Sequence, residues 1–131
     1  MKVSLGLPSH QVGGELATAD GIAEVSKAAE TAGFDAVFVT DHPFPSDRWL
    51  ATGGHHALDP FVALSFAAAA TTRLRLHTNL LVLAYRNPFH SAKAIAISSL
   101  SRRKNSFVSK VSFGSAIVLF VWTHSSAVWW S

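Results

Sequence analysis

Gly33-Phe34-Asp35-Ala36-Val37-Phe38-Val39-Thr40-Asp41-His42 is the stretch on which the reading of this chain turns. Ala36 to Thr40 is short, continuously apolar and rich in β-formers, the pattern of a parallel strand covered on both faces. Upstream, Ile22, Val25, Ala29 and Ala32 recur at helical spacing, Thr18 or Asp20 can cap the start, and Gly33 stands where a left-handed residue closes a helix. Downstream, Asp41-His42-Pro43 falls at the C-terminal end of the strand, where parallel α/β folds gather their functional groups.

The same unit recurs on both sides. Val3, Leu5 and Leu7 alternate with Lys2, Ser4 and Gly6 as far as Pro8 and predict a first strand. Leu74 to Leu83 predicts a third. The three strands start near residues 3, 36 and 74, intervals of 33 and 38 that suit strand-helix units. Asp59-Pro60 and Asn87-Pro88 each make an N-cap and first-turn pair, predicting helices over Phe61–Thr71 and Phe89–Leu100. Residues 101–131 follow another grammar, with eight serines, three of the four tryptophans and no acid, and predict only a fourth strand around Val111–Val121. The expected organisation is an α/β domain over 1–100 and a divergent tail over 101–131.

At 131 residues, 49% hydrophobic and 15% charged, the chain can bury a sizeable core. Its lack of cysteine excludes disulfides, thiolate metal sites and thiol nucleophiles, and fits a cytoplasmic address. The opening residues do not read as a signal peptide, and no apolar run approaches the ~20 residues of a membrane span, so no membrane partner is expected. Residues 1–59 hold all eight acids for a net −5, whereas residues 60–131 hold eight basic residues and no acid for a net +8. Arg73, Arg75, Arg86, Lys93 and Arg102 are scattered over different elements, so no nucleic-acid partner is expected.

Thr78-Asn79 lies where the third strand meets Leu80-Leu81-Val82, so two strand ends carry polar groups the same way. His42, with an ordinary pKa near ~6.5, suits acid or base work, and Asp41 would orient it or a ligand. The alternative is that Asp41 caps a turn and His42 is an ordinary loop residue. His55 and His56 sit in a long loop of the kind that forms lids, but no i,i+4 pair or acidic partner completes a metal site, and none is expected. His10 would face the same end of the sheet, and His77, inside a strand, reads as structural. Gly13-Gly14 stands alone and makes no nucleotide fingerprint.

Taken together, the stretch from Gly33 to His42, Leu58-Asp59-Pro60-Phe61, Thr78-Asn79-Leu80 and Tyr85-Arg86-Asn87-Pro88 resemble the N-terminal part of the bacterial-luciferase-like superfamily, particularly its branch using the deazaflavin coenzyme F420. The resemblance runs from Lys2 to Leu100. It implies a (β/α)8 TIM barrel of which this chain holds three to four strand-helix units, since a complete barrel takes ~250 residues. It also implies a cofactor across the C-terminal strand ends, and hydride transfer between F420 and a small organic substrate. The alternative within the superfamily is an FMN-dependent monooxygenase, because a deazaflavin activates oxygen poorly.

By position, the resemblance makes Asp41 and His42 the pair nearest the reactive ring, with His42 the proton donor or acceptor. It makes Asn79 and Leu80 a bulge backing the ring, joined by a cis or strained peptide, and has Thr78 position the ring's polar edge. In the full-length family it implies a homodimer. The departure lies after Leu100, where Ser101-Arg102-Arg103-Lys104 replaces the family's fourth-strand turn and Gly114 only faintly echoes its Gly-rich segment. A truncated gene or an out-of-frame tail accounts for that break, and an unusual native ending is the other account. The competing expectation is a noncatalytic fragment acting in assembly through an open three-strand edge and exposed Trp122, Trp129 and Trp130.

Overall fold

Val37 and Val39 are each no more than 1% exposed, because the strand that carries them is roofed by two helices on one face. The computed structural model describes residues 1–10, 14–100, 107–113, 116–123 and 126–130, and side chains within 1–10 and 14–96. The elements run β1 (Ser4–Gly6), α1 (Ala19–Thr31), β2 (Ala36–Thr40), α2 (Asp47–Ala51), α3 (Pro60–Ala70), β3 (Arg75–Val82), a 3₁₀ turn (Leu83–Tyr85), α4 (Pro88–Leu100), β4 (Phe107–Phe113), β5 (Ala116–Thr123) and β6 (Ser126–Trp130). The strands form one sheet in that order, parallel from β1 to β4 and antiparallel from β4 to β6. The sheet is open, with β1 and β6 at its edges. The architecture is an incomplete barrel built of alternating parallel strands and helices.

Local chemistry places each boundary. The Thr18 hydroxyl accepts from the Gly21 N–H to start α1. Gly33, at φ +85°, lets the Phe34 N–H return to the Ala29 carbonyl and its own N–H to Glu30, a Schellman closure that a side chain would strain. Asp59 Oδ1 caps α3 by accepting from Phe61 and Val62, and Asn87 Oδ1 accepts from Phe89 and His90 at the start of α4. Ile22 and Ala29 from α1 meet Ala63, Leu64 and Ala67 from α3 over Val37, Val39, Leu74 and Leu76. Burying each large aliphatic side chain there contributes about 1.5–3 kcal/mol.

Three expectations are corrected. β3 is not an open edge, because β4 pairs with it in parallel. The single strand expected over Val111–Val121 is two strands, since Phe113 pairs with Ala116 and the chain returns antiparallel, and β6 follows as a third. The peptide between Asn79 and Leu80 is trans, as is every peptide among the described residues. The bulge itself is present: Val39 pairs with Thr78 and Thr40 with Leu80, leaving Asn79 as the extra residue. The ladder resumes when the Asp41 N–H donates to the Leu80 carbonyl at 3.2 Å, so a trans backbone absorbs the extra residue. The expected exposure of Trp122, Trp129 and Trp130, the Ser101–Asn105 break and the Gly114 echo lie outside the described side chains and residues.

Carboxylates tie the units together at both ends of the strands. At the N-terminal end Glu30, in the last turn of α1, accepts from the backbone N–H groups of Thr72, Arg73 and Leu74 at 2.6–3.2 Å, pinning the approach to β3. Burial alone would raise its pKa, but those N–H groups and the Arg73 charge together hold it below the usual 4.5. At the C-terminal end Arg86 donates through Nε and Nη2 to both oxygens of Asp41, at 3.0 Å each, and through Nη2 to Asp59 Oδ2 at 2.8 Å. Its guanidinium carbon also lies 5.2 Å from the Phe61 ring centroid.

Replacing Glu30 with Gln is expected to cost about 1–2 kcal/mol at pH 7, since one amide oxygen replaces a charge-assisted acceptor pair. The folded pKa is depressed, so the difference is full above 4.5 and fades as pH falls through the folded value; urea midpoints at pH 7 and pH 3 check it. Arg86→Met is expected to cost about 3–5 kcal/mol, because it strands the buried Asp41 charge. Arg86→Met combined with Asp41→Asn should cost less than Arg86→Met alone, and a larger loss in the double variant would show that Arg86 acts by packing.

Candidate functional site

Because β2 ends beneath the Arg86 clamp, the next residue, His42, is delivered to a fixed place. Asp41 is 2% exposed, and its Oδ2 takes the Val82 N–H at 3.1 Å as well as Arg86, which joins the ends of β2 and β3. Its oxygens are committed, so Asp41 positions the strand end. His42 lies between two clefts and lines both. One, about 420 Å³, is bounded by Gly6, Ser9, His10, Phe38, Thr40 and His55 on the open face of the sheet. The other, about 450 Å³, is bounded by Asp41, Phe44, Trp49, Leu80 and Tyr85.

The His42 ring is packed on two sides, with its centroid 5.0 Å from that of Trp49 and 4.8 Å from that of His55. Burial first, and the neighbouring His55 second, lower its pKa below 6.5 against the pull of Asp41, so His42 is neutral at pH 7. His55 lies 5.3 Å from His10 and 5.4 Å from Trp49, centroid to centroid. Trp49 is carried by α2, capped where Ser46 Oγ accepts the Trp49 N–H, and the Leu58 N–H donates to the Ser9 carbonyl to hold the loops after β1 and β2 together. His77 faces Phe38 at 5.4 Å inside the sheet, its pKa lowered mainly by burial.

The positions named from the sequence divide by face. Asp41, His42 and Leu80 border the second cleft. Asn79 is exposed in the bulge, off the helix-covered face, whereas Thr78 and Leu81 are 0% exposed on it. Thr78 lines neither cleft, because its register with Val39 turns it toward the helices. His56 is exposed and His10 joins the first cleft. Sequence reasoning passed over Arg86 and Trp49. The charge split held a signal for Arg86: with no acid after residue 59, any acidic partner of a basic side chain in the second part must come from the first, and Arg75 meets Asp35 at 3.9 Å in the same way. Among the described residues no helix is long and apolar enough to cross a membrane.

Comparison with known proteins gives the geometry a context. No curated protein matches the chain in sequence. Among solved structures, the long-chain alkane monooxygenase LadA matches 86% of this chain at 17% identity and a TM-score of 0.66, and the chain covers 30% of it. The riboflavin lyase RcaE, solved with modified FMN and riboflavin, matches 86% of this chain at 20% identity and a TM-score of 0.62, with 29% of its own length covered. The coenzyme F420-dependent tetrahydromethanopterin reductase of Methanopyrus kandleri matches 85% of this chain at 21% identity and a TM-score of 0.55, with 27% of its length covered. The chain thus spans under a third of these proteins and shares their fold. Residues 1–99 match the family described as luciferase-like monooxygenases, and to that family the chain belongs.

Proposed function

We propose that this chain supplies the acid-base end of a deazaflavin-dependent oxidoreductase that moves a hydride between coenzyme F420 and a small organic substrate. The observation that carries this reading is His42, an imidazole kept neutral at pH 7 between two clefts at the end of a parallel strand. The residues fit a flat heteroaromatic ring: Gly6 and Phe38 give the first cleft a low, apolar floor, and Ser9, His10 and Thr40 rim it with hydrogen-bonding groups. When bound, F420 supplies the hydride acceptor or donor. His42 takes up or returns the accompanying proton, Asp41 holds the strand end through Arg86, and Asn79 and Leu80 form the bulge behind the ring. Thr78, buried on the helix side, supports that bulge from beneath.

The FMN in the riboflavin lyase and the monooxygenase description of the family support a second reading, in which the cofactor is FMN and the chemistry is oxygenation. A third, a noncatalytic segment acting only in assembly, is supported by the share of the related structures that the chain spans. The substrate is a small molecule under the first two readings. The reading puts the protein in the cytoplasm, with the homodimer belonging to the full-length family.

A barrel-length version titrated with F420 and with FMN, followed by cofactor fluorescence, is expected to bind F420. Binding of FMN alone moves the reading to the monooxygenase, and binding of neither overturns both. His42→Gln is expected to lower kcat about 10²-fold or more. With a His42 pKa below 6.5, hydride abstraction should rise as pH climbs through that value and level off by pH 7, a limb absent from His42→Gln.

A further inference from the structure

His55 is unexplained by the site as described. Its Nδ1 is buried and has no hydrogen-bond partner among the described residues, a state that calls for an explanation. A Cβ at Gly54 would run into the Trp49 indole, so only glycine lets the loop lie against α2 and bring the next residue, His55, edge-on to Trp49. On one side stands His42, half-buried, at 4.8 Å between centroids, and on the other His10, exposed, at 5.3 Å. Three imidazoles from three segments thus run from the junction of the clefts to solvent. Such centroid separations are those of imidazoles that meet nitrogen to nitrogen after a small ring rotation. The groups facing this row are Asp41, bound by Arg86, beside His42, and Trp49 beside His42 and His55.

We propose that His55 is a positioning residue that relays protons between His42 and the solvent-exposed His10. The inference rests on His42 being the proton acceptor of the proposed reaction. In that direction the hydride and its electron pair leave the substrate carbon for the deazaflavin, and the substrate hydroxyl proton passes to one nitrogen of neutral His42. His42 releases the proton on its other nitrogen to His55, His55 passes one to His10, and His10 gives one to water. Each ring ends neutral as the opposite tautomer and resets by rotation. No charge accumulates in the cleft, which agrees with His55 making the neighbouring His42 harder to protonate.

Imidazole NMR titration of the 131-residue chain tests the coupling without any cofactor. His55→Gln should raise the apparent pKa of His42 and slow exchange of its ring N–H, with the dispersion of the remaining spectrum showing that the fold is kept. His10→Gln, at the exposed end, should slow the same exchange with no change of fold. A His42 titration and exchange rate unaltered in both variants would overturn the relay. In the barrel-length enzyme His55→Gln should lower kcat with KM unchanged, and added imidazole should restore it. Failure of imidazole to restore it would also overturn the relay. If His42→Gln leaves kcat intact while the NMR coupling persists, the proposed reaction fails and the imidazole coupling stands.

Discussion

The Arg86 guanidinium is the point on which the functional end of this fold depends. It joins Asp41 at the end of β2 to Asp59 at the start of α3, and the residue that follows it, Asn87, caps α4. Asp59 in turn gives its other oxygen to the first turn of α3, so one residue sets both the helix start and the clamp. Burying such a cluster carries a desolvation cost, and the geometry that offsets it is bidentate and charge-assisted. What the arrangement achieves is register: the end of β2 is fixed against the bulge of β3, and His42 is thereby fixed between the clefts.

Much of this was legible because it is written locally. β2 was read residue for residue as Ala36–Thr40, the glycine closure of α1 at Gly33 stands where its spacing required, and both Asx-Pro pairs open helices. These signals depend on a few adjacent residues and on backbone sterics. α2 escaped notice because Asp47–Ala51 is too short to show a period, and only the Ser46 cap marks it. The strands after residue 106 were half seen. Gly114-Ser115 and His124-Ser125 interrupt the apolar runs, and the first of these carries the hairpin signal of glycine followed by a small polar residue. The pairing of Phe113 with Ala116 and Thr123 with Ser126 follows from those interruptions, not from the composition of the runs.

The site was legible in part, and the division has a physical cause. Asp41 and His42 stand out in the sequence because a strand end is a local feature to which the fold class gives weight. The difference in their surroundings does not, since it is Arg86, forty-five residues on, that takes both oxygens of Asp41. The ring role expected of Thr78 came from the resemblance, whereas strand parity sets it with Leu74 and Leu76 on the helix-covered face. The bulge at Asn79 resets the parity beyond it, so Leu81 returns to that face while Asn79 and Leu80 leave it. The row of imidazoles comes from three separate segments, and no spacing within one segment announces it.

The charge split has a similar resolution. An excess of acid before residue 60 and of base after it looks like a field directed outward, yet several of its members are consumed by contacts between the first two units and the third. Arg86 reaches Asp41 and Asp59, Arg75 reaches Asp35, and Arg73 is held at Glu30 through its backbone N–H. The contacts cross one or two helical connections, at sequence separations where loop closure is entropically costly and a directional polar contact selects the right neighbour. Among the described residues, the groups that pack against His42 or anchor its strand end, Asp41, Trp49, His55 and Arg86, all lie before α4.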